Sequence, residues 1–204
     1  MLRRKLPEKR NEITWISYPQ SKLISCRFAV SSQTIFERHG RHVAPARTIW
    51  MAPPMIRPAR VDEYDEIARV WMDSWVSTGL EHASDSLLAK LRARIPLEVE
   101  KGWSLFVADD GGALAAMLAL HLPKFYLDQL FVGPEYQGQD LGRRLLAFTR
   151  QHLPDEIWLR CVRENEKAWR WYEREGFVFE KEEVEPMIGF VMKYYRWKRE
   201  GATR

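Results

Sequence analysis

From Met55 onward the apolar and polar positions recur with regular spacing, and the spacing changes along the chain in a way that predicts a succession of strands and helices. MIRPAR, residues 55–60, reads as a short strand. Asp62 then stands where a helix cap is expected, and Tyr64, Ile67, Trp71 and Trp75 form the stripe of an amphipathic helix. Ser84 to Ile95 continues the helical pattern, and Pro96 is expected to interrupt it before a short resumption to Lys101. Trp103–Ala108 and Ala113–Leu122 read as an antiparallel hairpin turning at Asp110-Gly111-Gly112. Tyr126–Val132 is a further strand that runs into Gly133-Pro134 and a Gly-containing loop, after which Leu141, Leu145, Thr149 and His152-Leu153 mark a helix. Ile157–Val162 is a strand, Asn165–Glu175 a helix closed by Gly176, and Phe177–Val184 and Ile188–Tyr195 are the last two strands. No internal repeat is present.

Residues 1–54 differ. They mix Arg, Lys, Ser and Pro with isolated apolar residues, show no sustained period, and end at Pro53-Pro54, where a boundary is placed. The segment holds ten basic and three acidic residues, against 22 and 25 in the rest of the chain, so the overall charge of +4 belongs to this N-terminal quarter. It is read as a basic, disordered extension ahead of one domain over residues 55–204, which suits a length of 204 residues. The opening MLRRKLPEKR lacks the apolar stretch of a signal peptide, and Glu8, Glu12 and Glu37 weaken a transit-peptide reading. Cys26 and Cys161 are too few for a disulfide framework and have no neighbour at metal-ligand spacing, so a cytoplasmic protein without a metal is expected. The longest apolar run, Ala113–Leu120, is far shorter than the roughly 20 residues of a membrane span. Neither a membrane nor, with the excess of basic over acidic residues confined to the extension, a nucleic acid is expected as a partner.

The chemistry concentrates in two segments. Tyr136-Gln137-Gly138-Gln139-Asp140-Leu141-Gly142 lies between an apolar strand and a helix that opens with Arg143-Arg144. Backbone amides at such a helix start point outward together, and the helix dipole favours an anion there. The loop lacks both GxxxxGK and the three glycines of a dinucleotide fingerprint, which excludes those two nucleotide classes. About 25 residues later, NEKAWRWYEREGF presents Asn165, Ala168, Trp171-Tyr172 and Gly176-Phe177.

Together the two motifs resemble the GNAT superfamily of N-acetyltransferases, with its QxxGxG-type pyrophosphate loop and its later NxxAxxxYxxxGF helix. The resemblance covers about Met55 to Tyr195. It implies an α/β fold with a mixed, mostly antiparallel sheet, splayed at its centre and flanked by helices, and acetyl-CoA as cosubstrate. By the same resemblance Leu130, Phe131 and Val132 supply main-chain contacts to the pantetheine arm. Gln137, Gly138, Gln139, Asp140, Leu141, Gly142 and Arg143 surround the pyrophosphate, mostly through main-chain amides. Asp140 departs from the pattern, standing where the family has the first Gly of its pair. A carboxylate there repels a diphosphate, although Asp tolerates unusual backbone conformations. Arg143 can offset that charge, while Arg144 is read as solvated.

The resemblance gives Tyr172 the role of general acid toward the departing CoA thiolate; the residues alone read equally as a core aromatic. Asn165 is open between capping its helix and touching the CoA arm. Asp128 is the candidate general base, on the face of its strand shared with Tyr126 and Leu130, with an ordinary structural Asp as the competing reading. His121 is a weaker substitute, read as a strand-end surface residue. Pocket walls are expected from Trp75–Glu81 and from the turn near Glu185 and Pro186. Glu180, Glu182, Glu183 and Glu185 would either draw in a cationic amine or form a solvated edge. The expected reaction is direct transfer of an acetyl group to a primary amine of a small molecule or a protein in a ternary complex. A non-catalytic acyl-CoA-binding or interaction module on the same fold is the alternative, and the oligomeric state, a dimer included, is left open.

Overall fold

The computed structural model describes residues 52–80, 82–186 and 189–201. The longest apolar run of the sequence becomes strand β3 (Ala113–His121), buried at every position after its first. A strand with no polar alternation needs cover on both faces, and it has it. Met117 and Ala119 join one apolar cluster with Ile67 and Trp71 of helix α1 (Tyr64–Val76) and Leu91 and Ile95 of helix α2 (Asp85–Glu100). Leu118 and Leu120 join the opposite cluster with Leu145 and Leu146 of helix α3 (Leu141–His152) and Tyr172 of helix α4 (Glu166–Arg174).

The remaining strands are β1 (Met55–Pro58), β2 (Ser104–Asp110), β4 (Tyr126–Val132), β5 (Glu156–Val162), β6 (Val178–Val184) and β7 (Val191–Lys198). They form a seven-stranded sheet in the order β1-β2-β3-β4-β5-β7-β6. Every neighbouring pair is antiparallel except β4 and β5. These two parallel strands meet only at Tyr126↔Trp158 and Leu127↔Leu159. Beyond Leu127, β4 keeps its ladder with β3 while its other edge loses β5. The sheet is therefore an α/β mixed sheet splayed at its centre.

Several boundaries differ from the sequence reading. Asp62 does not cap α1; it sits in a 3-10 turn, Val61–Glu63, whose own capping carboxylate is that of Glu63, accepting the Arg60 amide at 2.7 Å, and α1 starts without a side-chain cap bond. Helix α2 runs unbroken through Pro96. A Pro inside a helix costs about 3 kcal/mol, whereas each fully buried Leu or Ile returns about 1.5–3 kcal/mol, and Leu87, Leu91 and Ile95 are all buried. Strand β2 extends to Asp110, because the hairpin turns on Gly111 and Gly112 alone, both at positive φ. The first strand ends at Pro58, and β7 runs to Lys198 because its register with β5 continues to Glu156. Its expected start at residue 188, the pocket-wall residue 81 and all but residues 52–54 of the extension lie outside the described residues. Arg144 is not merely solvated: its Nη2 donates to the carbonyl of Pro54 at 2.6 Å. Among the described residues no helix is long and apolar enough to cross a membrane.

Candidate active site

The splay between β4 and β5 opens a cleft of about 590 Å3 bounded by β4, the loop after it and the start of α4. Leu130, Phe131 and Val132 form one wall. Gln137 spans the cleft: its Nε2 donates to the Val132 carbonyl at 3.1 Å and to Ser77 Oγ at 3.2 Å, and its Oε1 accepts from Lys167 Nζ at 3.1 Å. Gly138 follows at φ 77 and Asp140 at φ 64. The amide of Arg144 is the first that α3 turns inward, onto the Asp140 carbonyl at 3.1 Å. The amides ahead of it are those a helix N-terminus leaves open, and they face the cleft end where Gly138, Asp140 and Gly142 line the wall. Lys167 and Arg174 add positive charge beside Arg143, whose Nε is held by Glu175 at 2.7 Å. The Asp140 side chain is mostly exposed and lies 3.5 Å from Arg143. This end suits a diphosphate, and the bare edge of β4 suits an extended chain bearing amide groups.

At its inner end the cleft leads into a cavity of about 180 Å3, which shares Leu130, Phe131, Asn165 and Ala168 with it. Tyr172 of α4, Cys161 of β5 and Asp128 of β4 line this cavity. The Tyr172 ring packs on Trp171 and Phe177, and burial holds its phenol well above the ordinary range, so it stays protonated at neutral pH. Burial likewise pushes the Cys161 thiol up to about 12. That neighbour shows what the cavity does to sulfur, for any thiolate formed beside it meets the same lack of solvation. Asp128 is nearly buried and accepts from Trp103 Nε1 at 2.7 Å and from Gln129 Nε2 at 2.8 Å. Tyr126, also buried, donates no charge of its own: burial and the nearby Asp128 raise its phenol, while Arg160 Nε donates to its oxygen at 3.2 Å.

The structure brings together Asp128, Leu130, Phe131, Asn165 and Tyr172 around the cavity, and Val132, Gln137, Gly138, Asp140, Gly142 and Arg143 around the cleft. Gln139 and Leu141 lie elsewhere: the Gln139 amide turns back to the Glu135 carbonyl, and Leu141 is buried in the core. Asn165 caps α4, accepting the Ala168 amide at 3.2 Å, and lines both spaces as well. Trp75, Thr78 and Leu80 supply the expected wall, whereas Glu185 reaches the cavity only through its ion pair with Arg160 at 2.6 Å. Glu180, Glu182 and Glu183 belong to an exposed edge strand and pair with Arg196, Lys193 and Lys181, so they form a solvated edge rather than an amine-attracting patch. His121 is buried, not at the surface, and its Nε2 is 3.8 Å from Asp128. Trp71 of α1, Arg94 of α2, and Arg160 and Cys161 of β5 also line the cavity, and no local motif marks them because three separate elements bring them together. Among the described residues no cluster of three His, Cys, Asp or Glu is placed to hold a metal.

Comparison with known proteins adds to this geometry. Residues 64–177 match the family described as Acetyltransferase (GNAT) family. The chain is 28% identical over 141 residues, 60% of its length and 78% of the relative's, to a probable N-acetyltransferase of Mycobacterium tuberculosis. It is 36% identical over 64 residues to the spermine/spermidine N(1)-acetyltransferase of Bacillus subtilis, a match along 29% of this chain and 42% of that one. Among solved structures it is similar to the PaiA N-acetyltransferase of Thermoplasma acidophilum in complex with coenzyme A, with a TM-score of 0.57 and 17% identity over 70% of this chain and 98% of that one.

Proposed function

The chain belongs to the acetyltransferase (GNAT) family, and from that premise we propose that it transfers the acetyl group of acetyl-CoA to a primary amine by direct attack in a ternary complex. The observation that carries this reading is the shared lining of the two spaces: an anion-suited helix start at one end, an unpaired strand edge along the side, and a cavity lined by a phenol and a carboxylate at the other.

Acetyl-CoA supplies a thioester, an acyl group already activated for attack. The amides at the start of α3, with Arg143, Lys167 and Arg174 nearby, bind its diphosphate. The free edge of β4 over Leu130–Val132 pairs with the pantetheine amides as a missing strand would. Asp128 holds the acceptor's ammonium and takes one proton from it, which frees the nitrogen lone pair to bond to the acyl carbon. Tyr172 gives its proton to sulfur as the carbon–sulfur bond breaks. Burial raises the pKa of its phenol, and the same lack of solvation opposes a thiolate formed beside it, which favours handing the proton to sulfur. The ammonium nitrogen thus loses two protons on becoming an amide: one passes to Asp128 and on to solvent, and the other, released as the adduct collapses, replaces through solvent the proton that Tyr172 gave to sulfur.

The test is calorimetric titration of the full chain with acetyl-CoA, followed by a scan of amines and peptides for release of free CoA thiol. Binding with amine-dependent release is expected. Binding with no release for any amine would favour the non-catalytic acyl-CoA-binding module.

A further inference from the structure

Trp71 is buried in the wall of the inner cavity, and its indole Nε1, shielded from water, has no hydrogen-bond partner. A buried donor without an acceptor is uncommon and costly, but this one is closed even to a single water molecule, so it is the ring and not the N–H that faces the cavity. Arg94 of α2 lines the same cavity, with its Cζ 5.2 Å from the Trp71 ring centre and 5.7 Å from that of Trp103. Glu98 takes the Arg94 Nε at 3.3 Å, and among the described residues no acceptor engages the terminal nitrogens, which form the half of a guanidinium suited to a carboxylate. The neighbouring indole, Trp103, donates to Asp128 at 2.7 Å. One aromatic wall therefore brings a guanidinium and a carboxylate to the lining of the same small space.

The other charges around the cavity are met within the protein. Arg160 is paired with Glu185 at 2.6 Å and donates to Tyr126. Asp128 accepts from Trp103 and Gln129, with the Tyr126 phenol beside it and His121 3.8 Å away. The volume, about 180 Å3 against ~30 Å3 for one water, holds an amino acid.

Building on the acetyl-transfer reading, we infer that the acceptor is a small amino acid with a free carboxylate: Asp128 receives its ammonium, while the Arg94 guanidinium receives its carboxylate. A polyamine lacks the group that would satisfy Arg94, and it carries further positive charge toward a guanidinium, so the same site selects against it.

The experiment compares the full chain, saturated with acetyl-CoA, on the standard L-amino acids, their α-carboxamides and spermidine, read as CoA thiol release. At least one amino acid is expected to exceed its own carboxamide by about tenfold or more in kcat/KM, even though the carboxamide's amine loses its proton more readily. Arg94→Met, which keeps an apolar stem over the two indoles, should bring acid and amide to within about twofold, and Arg94→Lys should restore part of the preference. Calorimetric binding of acetyl-CoA checks that each variant is folded, and if Arg94→Met is not, the wild-type ratio decides alone. Carboxamides or spermidine turned over as well as every amino acid, or a preference untouched in a folded Arg94→Met, overturns this inference and leaves acetyl transfer standing. No turnover of any amine by an acetyl-CoA-bound chain overturns the transfer reading and this inference with it.

Discussion

At the scale of single residues, Asp140 joins two effects that act in the same direction. Its backbone is left-handed at φ 64, a conformation in which a side chain is strained and glycine is not, and its carboxylate lies at the cleft end that suits a diphosphate. The side chain makes no cap for α3 and meets only Arg143, at 3.5 Å. Asp140→Gly is therefore expected to leave acetyl-CoA affinity equal or tighter by calorimetry and to raise thermal stability slightly. A tenfold loss of affinity, about 1.4 kcal/mol, would show that the carboxylate has a structural part. Gly138, two positions earlier at φ 77, shows the other side of the rule: nothing crowds its position, so its need for glycine is conformational. Tyr172, Asn165 and the loop Gln137–Gly142 were legible in the sequence because each sits in a local pattern. Trp71, Arg94 and Cys161 were not, because what defines them is a shared cavity reached from three elements. Asp128 was legible only as a polar residue in an apolar strand; its indole partner, Trp103, lies 25 positions away.

At the scale of elements, the first strand is fastened by charge as well as by its ladder. Arg57 of β1 donates to Glu63 at 2.6 Å and to Asp109 of β2 at 2.7 Å, with all three side chains largely buried. The Arg57 guanidinium holds the Glu63 carboxyl below its usual range, and the Gly112 amide together with Arg57 does the same for Asp109. Carboxyls depressed in the folded state stabilise it above their ordinary values, and that contribution is lost as the pH falls through the lowered folded values. Stability is thus expected to be flat near neutrality and to decline below about pH 4, the unfolded carboxylate range. Glu63→Gln should cost about 1–2 kcal/mol in denaturant unfolding at pH 7 and flatten the acid decline; an unchanged acid limb would place the loss elsewhere. Element order and type were readable from periodicity, whereas the errors fell where packing overrode a local rule. Pro96 did not break α2 because apolar side chains on its N-terminal side are anchored in the core, and Asp62 does not cap α1 because a 3-10 turn held by Glu63 and its arginine partner precedes that helix. The splay could be expected only from resemblance, since nothing in the pattern of β4 says that β5 leaves it after Leu127.

At the scale of the whole molecule, every described strand and helix and both motifs lie within residues 55–204. The segment 55–204 alone is accordingly expected to fold cooperatively and bind acetyl-CoA as the full chain does, with limited proteolysis trimming the basic N-terminal quarter first. Loss of folding or of acetyl-CoA binding on that deletion would move the boundary. The central claim is that this domain carries acetyl transfer with Tyr172 as the proton donor to sulfur, and it is tested most directly by rapid-quench single turnover. The wild-type chain and Tyr172→Phe, each preloaded with acetyl-CoA, are mixed with an amine that the wild type accepts, and the acetylated product is followed in time. Phenylalanine keeps the packing on Trp171 and Phe177 and removes only the proton. The expected result is unchanged acetyl-CoA affinity with a chemical step slowed about 10²-fold; product formed at the wild-type rate by Tyr172→Phe would contradict it and return Tyr172 to the core.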